Sequence, residues 1–233
     1  FSTKIYTGTG SAASITGVGF QPDFTWIKQR NNANNHKLMN STTGSTKFLV
    51  SAEVDQEGTD TQGITSFDSD GFSLGTSGSY NGSGGSYVSW NWKVNGGTTS
   101  SNTDGDVTST VQVNQAAGIS MTTYTGDGSS PLYVGHGLGT APQVVLAKHR
   151  NVSTHWRMWH QGLTGAGYYV ILDLDNAQAN SEPIFFGVPS STTVGFLSDF
   201  SSSSHNVIFW SFVEKKGYSK FGSYTGNGSS DGT

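Results

Sequence analysis

Three carboxylates, Glu53, Asp55 and Glu57, alternate with Val54 and Gln56. On a strand, whose side chains point alternately to opposite faces, all three would share one side, close enough to hold one protonated while another stays ionised. Such a pair is what glycoside hydrolysis uses, one group as nucleophile or base and one as acid. Gln56 among the acids and Gly58-Thr59-Asp60 after them point the other way, to a solvated acidic loop. A second group, His155, Trp156, Trp159 and His160, is the densest cluster of indoles and imidazoles. Exposed indole faces stack on sugar rings and imidazoles hydrogen-bond hydroxyls, which makes these four the candidate glycan-binding residues. Strand alternation sends Trp156 and Trp159 to opposite faces, so at least one belongs to a core.

The E-x-D-x-E spacing of residues 53–57 resembles that of jelly-roll endoglucanases of the laminarinase type. That resemblance implies a glycan hydrolase with Glu53 and Glu57 as nucleophile and acid/base. It covers five residues, and Asp173-Leu174-Asp175, the corresponding part of the second half, has no such triad. Asp68-Ser69-Asp70-Gly71, Asn102 with Asp104 and Asp106, and Asp173 with Asp175 carry oxygens at spacings that suit Ca²⁺. None completes an EF-hand loop, and Asp and Asn stand at such places to make turns. No metal site and no cofactor is expected. No Ser-His-Asp order with a nucleophile elbow is present, and Gly8-Thr9-Gly10 lacks the strand and helix of a nucleotide-binding loop. No catalytic residue is assigned.

The elements that must position these residues are strands. Glycine supplies 32 of 233 residues, Ser and Thr are similarly abundant, and charged residues make up 12%. Helix formers are scarce while Val, Ile, Thr and the aromatics are plentiful, which favours an all-β chain rich in turns. Twelve Lys and Arg without a cluster, at a net charge of -4, offer no phosphate-binding surface, so nucleic acid is excluded as a partner. The longest apolar runs, 144–147 and 207–210, are of strand length, which excludes membrane insertion by a helix. The chain has no cysteine, hence no disulfide or thiolate chemistry.

An internal repeat organises the whole. Tyr6-Thr7-Gly8-Thr9-Gly10-Ser11 returns at Tyr124-Thr125-Gly126-Asp127-Gly128-Ser129 and at Tyr224-Thr225-Gly226-Asn227-Gly228-Ser229. Pro22, Lys28, Arg30 and Trp90 recur 120 residues on as Pro142, Lys148, Arg150 and Trp210. The sequence therefore predicts two tandem β-sandwich, jelly-roll-like modules: 1–97, a Gly/Ser/Thr-rich linker over 98–105, 106–223, and the opening strand of a third copy over 224–233. Because that copy breaks off at Thr233, the chain reads as a segment of something longer. Val88, Trp90, Trp92 and Val94 alternate with polar residues, as in a strand with one buried face. Residues 207–213 are apolar on both faces and call for cover on both sides.

Long motifs carry a second resemblance: the opening Tyr-Thr-Gly-x-Gly-Ser followed by Trp26-Ile27-Lys28, the run Ser69-Asp70-Gly71-Phe72-Ser73-Leu74-Gly75, then Tyr87-Val88-x-Trp90-x-Trp92-Lys93, and the stretch from Gly217 to Gly228. Together they look like the repeated modules of virion structural proteins of marine tailed phages. The resemblance implies a non-enzymatic protein on the virion, an extracellular particle, where it builds or decorates a tail, fibre or surface appendage. Its partners would be other copies of itself, other virion proteins and the host surface. The alternative is a lectin-like adhesion module that binds a host glycan through exposed aromatics.

Overall fold

The computed structural model describes residues 1–180 and 184–230. Of the third-copy stretch, 231–233 lie outside the described residues. The fold is all-β, as the composition predicts; the α-helix among the described residues is the single turn α1 (Gly78–Asn81).

The first half contains β1 (Ser2–Thr7), β2 (Ala13–Ile15), β3 (Phe24–Gln29), β4 (Lys37–Asn40), β5 (Gly44–Val50), β6 (Gly58–Thr59), β7 (Ile64–Asp68), β8 (Gly71–Leu74) and β9 (Ser86–Trp92). They form a large antiparallel sheet of order β1-β9-β3-β4-β5-β6 and a small one of order β2-β8-β7. The second half contains β10 (Ser100–Asn102), β11 (Ser109–Asn114), β12 (Ile119–Thr125), β13 (Leu132–Gly135), β14 (Val144–His149), β15 (Arg157–His160), β16 (Val170–Ile171), β17 (Phe185–Phe186), β18 (Thr193–Phe196) and β19 (Asn206–Phe212). Its large sheet runs β10-β11-β12-β19-β14-β15-β16 and its small sheet β13-β18-β17. The series β1-β9-β3-β4-β5 and β12-β19-β14-β15-β16 have one connectivity, as do β2-β8-β7 and β13-β18-β17.

The recurring Tyr-Thr-Gly-x-Gly motif has a local structural reason. Tyr6 donates its hydroxyl to the Tyr80 carbonyl and Tyr124 donates to that of Phe200, each tying a strand to the short helical turn before the closing strand. Gly8 and Gly126 then donate backbone N–H bonds to Gly85 and His205. A Cβ on Gly8 would lie 2.2 Å from the Gly82 carbonyl oxygen, and one on Gly126 2.3 Å from that of Ser202. Only a residue without a side chain fits where two backbones approach this closely.

Three apolar layers result. Ile27, Met39, Phe72, Tyr80 and Tyr87 fill the first sandwich, while Val145, Trp159, Phe196, Val207 and Phe209 fill the second. The middle layer lies between the two large sheets, where Phe24, Leu38, Leu49 and Val94 meet Met121, Leu146, Trp156, Ile208 and Trp210. Strand β19 is thus covered on both faces, Val207 and Phe209 inward and Ile208 and Trp210 toward the other half. Hydrogen bonds cross the same seam: Trp156 Nε1 donates to the Val50 carbonyl at 2.8 Å, and Gln112 Nε2 donates to Ser41 and Thr42.

Two expectations need correction here. The stretch 98–105 is no free linker, because Ser100–Asn102 pairs with β11 as the edge of the second large sheet, a place where solvated Ser and Asn side chains cost nothing. Residues 224–230 of the third copy form no strand, and Tyr224 is 91% exposed. Its counterparts Tyr6 and Tyr124 each sit beside a closing strand, β9 or β19, that residues 224–230 do not reach.

Candidate functional site

Residues 53–57 do not form a strand, so the three carboxylates have no common face. The loop instead docks onto the second half. Glu57 receives two hydrogen bonds at 2.9 Å from the Arg150 guanidinium, its backbone N–H donates to the Arg150 carbonyl, and Gln56 N–H donates to Ser153 Oγ. Glu53 accepts from Asn35. The bidentate pairing engages both oxygens of Glu57, which is a fastening geometry rather than that of a free acid/base pair.

The four aromatic and imidazole candidates are also placed otherwise than expected. Trp156 is 0% exposed and Trp159 4%, so neither presents a face to solvent, and the expectation of exposed indoles at these positions is corrected. The two rings do point to opposite sides, but this segment lies between two cores: Trp156, just before β15, packs in the layer between the large sheets and Trp159, on β15, in the second sandwich. His155 Nδ1 lies 2.7 Å from Asp173 Oδ2, and the other oxygen of that carboxylate accepts the Trp156 backbone N–H. His160 Nδ1 accepts from the Gly162 N–H.

The acidic turns are engaged in the same way. Asp70 accepts from the backbone of Gly17 and Gly19, bonds that hold its carboxyl below the usual range. Asp68 accepts from Ser66 and Ser73, and Asp106 from Tyr133 N–H. Among the described residues no three His, Asp or Glu side chains converge as metal ligands. Lys148, wholly buried, donates to the Val54 and His149 carbonyls, and burial lowers its pKa to about 8.

An aromatic surface does exist, on residues whose local sequence marks no ligand site. On the outer face of the first large sheet, register pairs Trp26 with Trp90 and Phe24 with Trp92. Phe24 is buried by Trp210 of the other half at 5.2 Å between ring centres, whereas Trp26, Trp90 and Trp92 stay partly exposed. They line a cavity of about 300 Å³ together with His36. A second cavity of about 590 Å³ shares Trp26 and His36 and continues to Ser51, Asp173 and Asp175.

His36 has a defined tautomer. Trp26 Nε1–H donates to His36 Nδ1 at 2.7 Å, so Nδ1 carries no proton and the neutral ring holds it on Nε2. Burial first, and then the Lys28 charge, lower the His36 pKa and keep it neutral. The groove offers flat apolar area, one imidazole donor and carboxylate acceptors at one end. The alternation of Trp90 and Trp92 announced their common face, but no local pattern says that this face stays open while its counterpart around Trp210 is sealed.

A family model described as a domain of unknown function (DUF7483) matches residues 1–233, and the chain belongs to that family. No curated protein and no solved structure matches the chain.

Proposed function

We propose that this member of the family is a non-enzymatic structural protein, two copies of one β-sandwich unit docked face to face, that builds or decorates a tail, fibre or surface appendage of a phage particle. The observation that carries the reading is the apolar layer between the two large sheets. With the Trp156–Val50 and Glu57–Arg150 contacts, it makes the pair of sandwiches one stiff body rather than two beads on a string. The matching strand orders and the constant offset of about 120 residues support duplication of a single unit. The residues with chemical potential support a passive role, since Glu57, Asp70, Asp106 and Asp173 all hold the fold's own backbone or side chains. Self-association and contact with other virion proteins belong to this proposal.

Antibody labelling of purified native particles, viewed by electron microscopy, tests it. Label on a tail, fibre or surface projection is the expected result. Absence of the polypeptide from the particle, or label confined to the capsid interior, would refute the reading.

A further inference from the structure

Folding does not account for the openness of the groove of Trp26, His36, Trp90 and Trp92, although Trp26 and Trp92 also lean on the middle layer and Asp173 at its end is tied to His155. Its counterpart in the second half shows what folding demands. There the register pairs Leu146 with Trp210 and Val144 with Phe212; Leu146 and Trp210 are buried beneath the first half, and Val144 is buried as well. In the first half the corresponding pairs are Trp26 with Trp90 and Phe24 with Trp92, and three of these four rings meet water. A tryptophan at position 26, where the buried copy has Leu146, puts a larger flat ring on the less buried face, the reverse of what burial alone would select.

We propose that this groove binds an uncharged pyranose glycan, with the apolar faces of the sugar rings on Trp26, Trp90 and Trp92 and their hydroxyls toward His36 and the acidic end. The ring edges and faces of a pyranose differ as the two ends of the groove do. Its axial C–H faces suit indoles, and its hydroxyls suit a donor at His36 Nε2 and acceptors on Asp175. Trp90 and Trp92 stand two residues apart on β9, about 7 Å along the strand, and Trp26 lies one strand across at about 5 Å, an area that accommodates more than one ring. The two neighbouring cavities, about 300 and 590 Å³, lie within the roughly 300–1,000 Å³ usual for ligand sites.

Charge decides against two other occupants. Asp173 is tied to His155 and the Trp156 N–H, but Asp175 is exposed at the rim, so an acidic sugar would meet a like charge. A second copy of the chain laid over this apolar face would bury Asp175, a cost that falls unless a cation comes with it. The cation that acts on His36, Lys28, already donates to the carbonyls of Gln29, Asn32 and Asn34 and is engaged there. The inference does not depend on where the chain sits on a particle, so failure of the labelling experiment leaves it intact and the reverse also holds.

The test is affinity electrophoresis of the full chain in native gels cast with galactomannan, mannan or β-glucan, with alginate as the anionic polysaccharide. We expect at least one neutral polymer to retard the protein and alginate not to. Trp90→Ala and Trp26→Ala should each weaken that retardation at least tenfold while near-ultraviolet circular dichroism shows the fold retained. Asp175→Lys, which alters an exposed side chain, should weaken binding to the neutral polymer and admit alginate. The proposal is overturned if no neutral polymer retards the protein, if alginate is preferred, or if Trp90→Ala and Asp175→Lys bind like the parent. It is equally overturned if Trp90→Ala converts a dimer to a monomer on size exclusion with retardation unchanged, since the face would then be a protein interface.

Discussion

Asp23 is fully buried, and its two oxygens accept the backbone N–H groups of Val94, Asn95, Gly96 and Gly97 and the hydroxyl of Ser41. Removing the carboxylate strands the buried Val94 N–H and the Ser41 hydroxyl and leaves three partly buried N–H groups without their acceptor, a buried unpartnered donor costing about 1–3 kcal/mol. Asp23→Ala should therefore lower stability by on the order of 3 kcal/mol or more, and Asp23→Asn by less, as read from urea midpoints. His149 is buried as well, with Nε2 donating to the Asp199 carbonyl and Nδ1 accepting from Thr154. Burial lowers its pKa from 6.5 to about 4. The unfolded chain then binds the proton more readily than the folded one between those values, so stability falls as pH drops from about 6.5 to 4, by roughly 3 kcal/mol from this residue alone. His36 and His136, whose pKa values are also lowered, act in the same direction. Comparing urea midpoints at pH 7 and 4.5 should show the loss, and His149→Gln should reduce it; an unchanged slope in that variant would refute the assignment.

At the scale of the elements, the Tyr-Thr-Gly-x-Gly strand ending does the same work twice. Gly8→Ala and Gly126→Ala should each destabilise by more than about 2 kcal/mol, because a methyl group would meet backbone oxygen at 2.2 and 2.3 Å; thermal melts of the two variants should drop together. This motif, the period-2 face of Trp90 and Trp92 and the two-sided β19 were legible because strand alternation and turn chemistry act within a few residues. What escaped the sequence depends on partners far along the chain. Glu57 finds Arg150 across 93 positions, so an acidic loop that looked solvated is a fastening. Trp156 and Trp159 are both hidden because their segment is sandwiched between cores, where alternation foresees cover on one side only. The groove was missed because Trp26 and His36 meet across the β3–β4 hairpin, and because its openness is decided by which face the other half covers.

For the molecule as a whole, the shared middle layer means that either half alone would leave one apolar sheet face uncovered. Parting 1–97 from 98–233 would bare Phe24 and Leu38 on one fragment and Met121, Ile208 and Trp210 on the other, contiguous apolar patches of the kind that drive association. Each fragment should aggregate or bind hydrophobic dyes when expressed separately and recover a soluble complex on co-expression. The intact chain should melt in one calorimetric transition, and Trp210→Ala should lower that single transition by roughly 3–5 kcal/mol of stability rather than split it. Two resolved transitions would mean that the halves are independent. The sealing is lopsided: side chains at 146, 208 and 210 are covered on all sides, while those at 26, 90 and 92 keep one side in water even where Trp26 and Trp92 lean on the middle layer. Mutation can therefore wander across the watered face at less cost to stability than across the sealed one, and a lineage of such proteins could exchange what it touches while inheriting an unaltered backbone.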